Sequence, residues 1–209
     1  MTATSQRIGL ADVERLLGFW FGEDGGDDAA VAARQAALWW GKNPDTDLEV
    51  EAAFGDVASR AAAGTLDHWT GFPRGRLALI LALDQLPRVI HRGAPAAFAG
   101  DEAALRVAER GLASGVDRLL QPIERVFFYL PFEHSESLAD QERSVELFRT
   151  LAVSVPPQWR ETFDGFLDYA VRHHDVIARF GRFPHRNQVL GRPSTAAELV
   201  FLAEPGSSF

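Results

Sequence analysis

The stretch LALILALDQLPRVIHRG, residues 77–93, decides how this chain folds. Its first seven residues are apolar without interruption, and residues 76–86 read as apolar on every side of a helix. A run this short suits a buried strand or a buried helix equally well by periodicity. Composition separates them. Leu and Ala dominate, and Ile80 is the single β-branched residue between Leu77 and Leu86. Leu and Ala lose little side-chain freedom in a helix, whereas β-branched residues are held at χ1 against the preceding turn. The segment is therefore a helix enclosed all round, and other elements must cover it. Pro87 is expected to end it, because proline lacks an N–H and its ring meets the carbonyl four residues back.

Working outward, the helical pattern continues almost everywhere. Leu10, Val13, Leu16, Leu17 and Trp20 recur at helical spacing over 10–21, and GEDGGDD breaks that helix. An Ala-rich helix spans 29–40. A third covers about 48–63, with Asp47 as N-cap and Gly64 as C-cap. Beyond the central run, Asp101 caps a helix ending near 111–115. Pro122 opens IERVFFYL, which Pro131 is expected to break. Further helices cover about 138–153 and 159–180, and Thr195-Ala-Ala-Glu198 is a capping box for a short last one. The expectation is an all-α fold of about nine helices in stacked antiparallel hairpins. It forms a single domain over residues 1–209, with its core at about 10–202.

Composition narrows the function classes. The 209 residues carry a formal charge of −8, which opposes a large phosphate footprint and hence general nucleic-acid binding. There is no cysteine, so disulfides, thiolate metal sites and Cys nucleophiles are excluded. No apolar stretch approaches the roughly 20 residues of a membrane span. The first residues lack the apolar core of a signal peptide. The expected location is the cytoplasm, with no membrane partner.

Four segments hold chemistry beyond packing. Asp84 follows seven apolar residues, so its carboxylate must be paired or hydrogen-bonded. Arg88 and Arg92 lie near in sequence, although Pro87 disturbs the simple i, i+4 geometry to Arg88. YLPFEHSESLADQERSVELF, residues 129–148, gathers Glu133, His134, Glu136, Asp140 and Glu142. It contains no HExxH and no Glu-x-x-His, so no metal ligand is assigned; by residue type Glu133 and His134 are the acid–base candidates. VRHHDVIARFGRFPHRN, residues 171–187, ends its helix near Gly181 and Pro184. It offers Arg179, Arg182, His185 and Arg186 beside Phe180 and Phe183. Arginine suits bidentate recognition of carboxylate or phosphate, and the phenylalanines supply low-dielectric walls. Finally FWFG and LWWGKNPD place Trp20, Trp39 and Trp40 where they either pack the core or anchor a partner.

Two functions follow. In the first, a small anionic ligand occupies a cleft between the EHSE and RFGRFPHRN segments. Glu133 and His134 transfer protons there, and Asp84, Arg88, Arg92, Arg179, Arg182, His185 and Arg186 bind. In the second, the chain is a helical interaction module that takes a peptide or protein through its Trp-rich surface. No cofactor is indicated. No nucleophile elbow or phosphate-binding P-loop is present.

The blocks FWFG, WWGK, LALILALDQLPRVIHRGAPAAFAGD, FFYLPFEHSESLADQERSVELF and HHDVIARFGRFPHRNQVLGRPSTAAELVFL resemble, in order, those of the bacterial domain-of-unknown-function (DUF) 924 family. The resemblance covers roughly 10–202. It implies an all-α fold similar to tetratricopeptide-repeat hairpins, although the sequence shows no such period. It implies no reaction. Asp84, Arg88, Glu133, His134, Asp140, Arg179, Arg182, His185 and Arg186 all fall in these blocks. Leu86, Val89 and His91 depart from the family pattern, which has Phe, Asn and Tyr there.

Overall fold

The central run is a helix, and Pro87 does not end it. In the computed structural model, which describes residues 3–22 and 27–207 (side chains from Gly9 on), α4 (Pro73–Ile80) passes into a π turn (Leu81–Gln85) and on into α5 (Leu86–Ile90). The Leu86 N–H closes that turn on Leu81 O, which widens the helix just where the proline ring would meet a carbonyl. That carbonyl, Leu83 O, faces Gly100 so closely that a Cβ there would overlap the oxygen. Gly100 is thus required by backbone approach rather than by a turn. Pro131 likewise stays inside α7 (Pro122–Glu133), in its last turn, and the helix runs only two residues beyond it.

Two caps differ from expectation. α3 (Pro44–Ala62) starts a turn early, capped by Asn43, which leaves Asp47 in its first turn. Asp101 is the first residue of α6 (Asp101–Ala113), behind Gly100, so its carboxylate is available for other partners. Other ends match. Pro122 opens α7, Gly181 ends α9 (Arg160–Phe180) at φ 68°, and Thr195 and Glu198 form the capping box of α10 (Ala196–Leu202). α1 (Ala3–Phe21), α2 (Asp28–Trp40) and α8 (Leu138–Ser154) complete the set. Of the GEDGGDD break, residues 23–26 lie outside the described residues.

Counting α4 and α5 as one rod, the described residues hold nine α-helices and no strand. Every residue from Leu77 to Leu86 is buried, because α1, α3, α6 and α7 pack around the rod. On its far side α7, α8 and α9 pack in succession, as neighbours in a stack of hairpins do. Trp20, Phe54, Trp69, Phe127, Phe128 and Phe148 fill the main core. A smaller cluster of Val176, Ile177 and Phe183 sits against Phe180 and Phe201. Among the described residues no helix is long and apolar enough to cross a membrane. This arrangement sets the polar π turn against the end of α7 and the chain just past α9.

Candidate functional site

Asp84 is fully buried on the π turn and both of its carboxylate oxygens are engaged. Oδ1 lies 2.7 Å from His134 Nδ1 and 3.2 Å from Arg88 Nη1, and Oδ2 accepts from Gln85 Nε2 at 2.6 Å. The i, i+4 pair with Arg88 therefore forms despite Pro87. Burial raises the pKa of Asp84, but the charge of Arg88 and the hydrogen bonds from His134 and Gln85 outweigh it and hold the carboxyl well below its usual range. An ionised carboxylate only accepts, so His134 Nδ1 carries the proton and Nε2 of the neutral ring keeps the lone pair. Burial, then the nearby Arg88 charge, lowers the His134 pKa and keeps the ring neutral near pH 7. Its side chain is 13% exposed, which places it at the rim of the cluster.

Asp101 ties the second half together. Arg88 donates to it twice, Nη1 to Oδ1 at 2.7 Å and Nη2 to Oδ2 at 2.9 Å, and Arg186 Nη1 donates to Oδ2 at 3.1 Å. The Arg186 guanidinium lies between the rings of Phe98 and Phe183, 4.7 and 4.4 Å from their centroids. Its Nε is buried without a hydrogen-bond acceptor, so this arginine has donors left over. Two guanidiniums thus face two carboxylates.

Glu133 is buried behind His134. Burial and then the Asp84 charge push its carboxyl up to about 8, so it is protonated at neutral pH. Its Oε1 sits 3.2 Å from His173 Nδ1, whose N–H donates to Tyr169 O at 2.8 Å. Burial drives His173 well below an ordinary histidine.

Residues 16–206 match the family described as "Bacterial protein of unknown function (DUF924)". The chain belongs to this family. A solved structure of a protein of unknown function from Agrobacterium tumefaciens is similar to this DUF924 chain at 36% identity and a TM-score of 0.72, over 85% of this chain and 99% of that one. No curated protein matches the chain.

Of the residues expected to form the DUF924 site, the fold brings together Asp84, Arg88, Glu133, His134 and Arg186, with His185 beside Phe183 at 5.6 Å between ring centroids. Burial lowers His185 to about 4. Three arginines go elsewhere. Arg92 forms a two-pronged pair with Asp47, at 2.7 and 2.9 Å. Arg182 holds Glu198 of α10 at 2.6 and 2.8 Å. Arg179 is exposed, lying over the rings of Phe180 and Phe201. The EHSE and RFGRFPHRN segments do meet: Glu136 accepts from Phe183 N at 2.8 Å and from Arg192 at 2.7 and 3.0 Å.

Sequence reasoning missed Asp101, Gln85, Phe98 and Arg192. Asp101 read as a helix cap, and no spacing links it to Arg88 or Arg186. Among the described residues no group of three or more His, Asp or Glu is arranged to hold a metal. Three of the five tryptophans (Trp20, Trp39 and Trp69) are in the core, whereas Trp40 is half exposed and lies flat on Phe127, 5.9 Å away at 9°.

Proposed function

We propose that the Asp84–His134–Arg186 cluster is a proton-transfer site acting on a small ligand that bears an acidic group. The observation that carries this reading is the 2.7 Å contact between Asp84 and His134. It fixes the tautomer, so a neutral Nε2 is offered as a general base at the rim, and the buried carboxylate stabilises the imidazolium formed when that base takes a proton. Glu133, protonated at neutral pH, is the complementary acid. Burial drives the Glu133 pKa up and the His134 pKa down, which gives one group a proton to donate and leaves the other able to accept one.

Arg186 supports the acidic group of the ligand. An arginine buried in an aromatic slot with an unmet Nε donor gains most from an oxygen that accepts from it. The alternative, peptide capture on a Trp-rich surface, rests on the single exposed ring of Trp40. It has less behind it than the paired groups of the cluster.

Nitrogen-15 NMR of the His134 ring, recorded while small hydroxy and keto acids are titrated in, tests the reading. The expected result is a protonated Nδ1 that Asp84→Asn abolishes, together with at least one acid that shifts the ring signals in wild type and not in Arg186→Gln. An Nε2-protonated ring in wild type, or a ring that no ligand perturbs, would sink the proposal.

A further inference from the structure

The arginines of the buried cluster are balanced by carboxylates, but a surface cleft some distance away has a surplus. It has a volume of about 230 Å³ and is lined by Asp117, Arg118, Arg125, Tyr129, Arg143 and Glu146, among others. Its cations come from three places: Arg118 from the short 3₁₀ segment Val116–Leu119, Arg125 from α7 and Arg143 from α8. Three guanidiniums against two carboxylates leave a local excess of one positive charge on a chain whose total is −8.

The floor of the cleft is built. The Tyr129 hydroxyl is buried and donates to Asp117 Oδ2 at 2.8 Å while accepting from Arg125 Nε at 3.0 Å. Burial holds that phenol protonated, pushed up to about 12, so it stays a donor to Asp117 at any ordinary pH. Asp117 is 7% exposed, so its charge is spent on the floor rather than presented to the opening. Arg125 is fixed at Nε by Tyr129 and its Nη2 lies 3.9 Å from Asp117 Oδ2, an ion pair too long for a hydrogen bond, so its terminal N–H groups can still donate to a ligand. Arg118 is exposed, and Arg143, paired with Glu146 at 2.6 Å, has a side chain 47% exposed; both can swing inward at little cost.

We infer that this cleft binds a small phosphate-bearing molecule, with Arg125 as the fixed contact and Arg118 and Arg143 as arms that close on it. Three cations set around one cavity match a phosphate group with three or more terminal oxygens, whereas a carboxylate offers two oxygens in one plane. The volume falls below the roughly 300 Å³ where drug-sized sites begin. The ligand is therefore inorganic phosphate or a monoester with a short organic part, which Leu112 and Leu147 flank.

Titration calorimetry on the whole chain, with inorganic phosphate, ethyl phosphate and acetate as probes, tests this. Wild type should bind both phosphates, bind acetate more weakly, and lose at least about tenfold in phosphate affinity in the Arg118→Gln/Arg143→Gln double variant. Those two side chains are exposed, so the variant should keep its fold, and its circular dichroism should match wild type. The inference is overturned by wild type failing to bind either phosphate at roughly 10 mM, by acetate binding as tightly as phosphate, or by the double variant binding as wild type does. That last outcome would move the anion to another site.

Discussion

The buried cluster around Asp84 and the open cleft over Tyr129 are both built from arginine, carboxylate and aromatic groups, yet they use them in opposite ways. In the cluster Arg88 spends its donors on Asp84 and Asp101, and Arg186 shares Asp101 while its buried Nε stays unmet, so most of the charge closes within the cluster and one donor is left for a ligand. In the cleft only Arg125 is held by the interior, and Arg118 and Arg143 stand in solvent. What separates a scaffold arginine from a ligand-seeking one is where its donors already go, which residue type and sequence spacing do not reveal.

The largest effect that would break this comparison is expected at Asp101. Replacing it with alanine leaves Arg88 and Arg186 without their shared counterion. Loss of one partner from a buried pair costs about 3–5 kcal/mol, readable as a fall in the urea midpoint. If Asp101→Ala were as stable as wild type, the cluster would not be the ion-paired network described.

Next comes the pH dependence of Glu133. Its folded pKa of about 8 lies above the ordinary 4.5. The stability this group contributes is fully present below about pH 4.5 and is lost as the pH rises towards 8, because the unfolded chain releases the proton first. Glu133→Gln has no proton to lose. Its stability relative to wild type should therefore climb across that window by roughly 3–5 kcal/mol, and flat parallel curves would place Glu133 in a solvated setting. His173 and His185, both lowered by burial, act in the other direction as the pH falls, so the difference between the two proteins is the quantity to measure.

The smallest effect belongs to the cleft. Arg143→Gln should change stability by no more than about 0.5 kcal/mol, since its partner Glu146 is 64% exposed and such pairs contribute little. A large loss would turn the cleft into scaffold and erase the contrast.

The sequence made some of this visible. A carboxylate set among Leu81, Leu83 and Leu86 had to find partners, and Asp84 has them. The all-helical fold was equally readable, because Leu and Ala leave little room for a strand reading. The partners themselves were hidden. His134 lies 50 residues from Asp84, and Asp101 lies 85 from Arg186. Contacts between helices that are distant in the chain leave no spacing to find. Pro87 and Pro131 misled for a different reason: the rule that proline ends a helix assumes regular geometry, and here one proline follows a π turn and the other sits in a last turn. Arg179 and Arg186 part because α9 stops at Phe180, so only Arg186 reaches the cluster.

The π turn at Leu81–Gln85 also acts as a phase shifter. One extra residue per turn rotates everything downstream by about 100° relative to a regular helix. The apolar ladder of Leu77–Ile80 and the charged pair Asp84–Arg88 can therefore each face their own neighbours on one continuous rod. Deleting a single residue, Ala82, would restore the regular winding and leave every side chain of α5 chemically intact. It would also swing Arg88 away from Asp101 and drive the Pro87 ring into the helix.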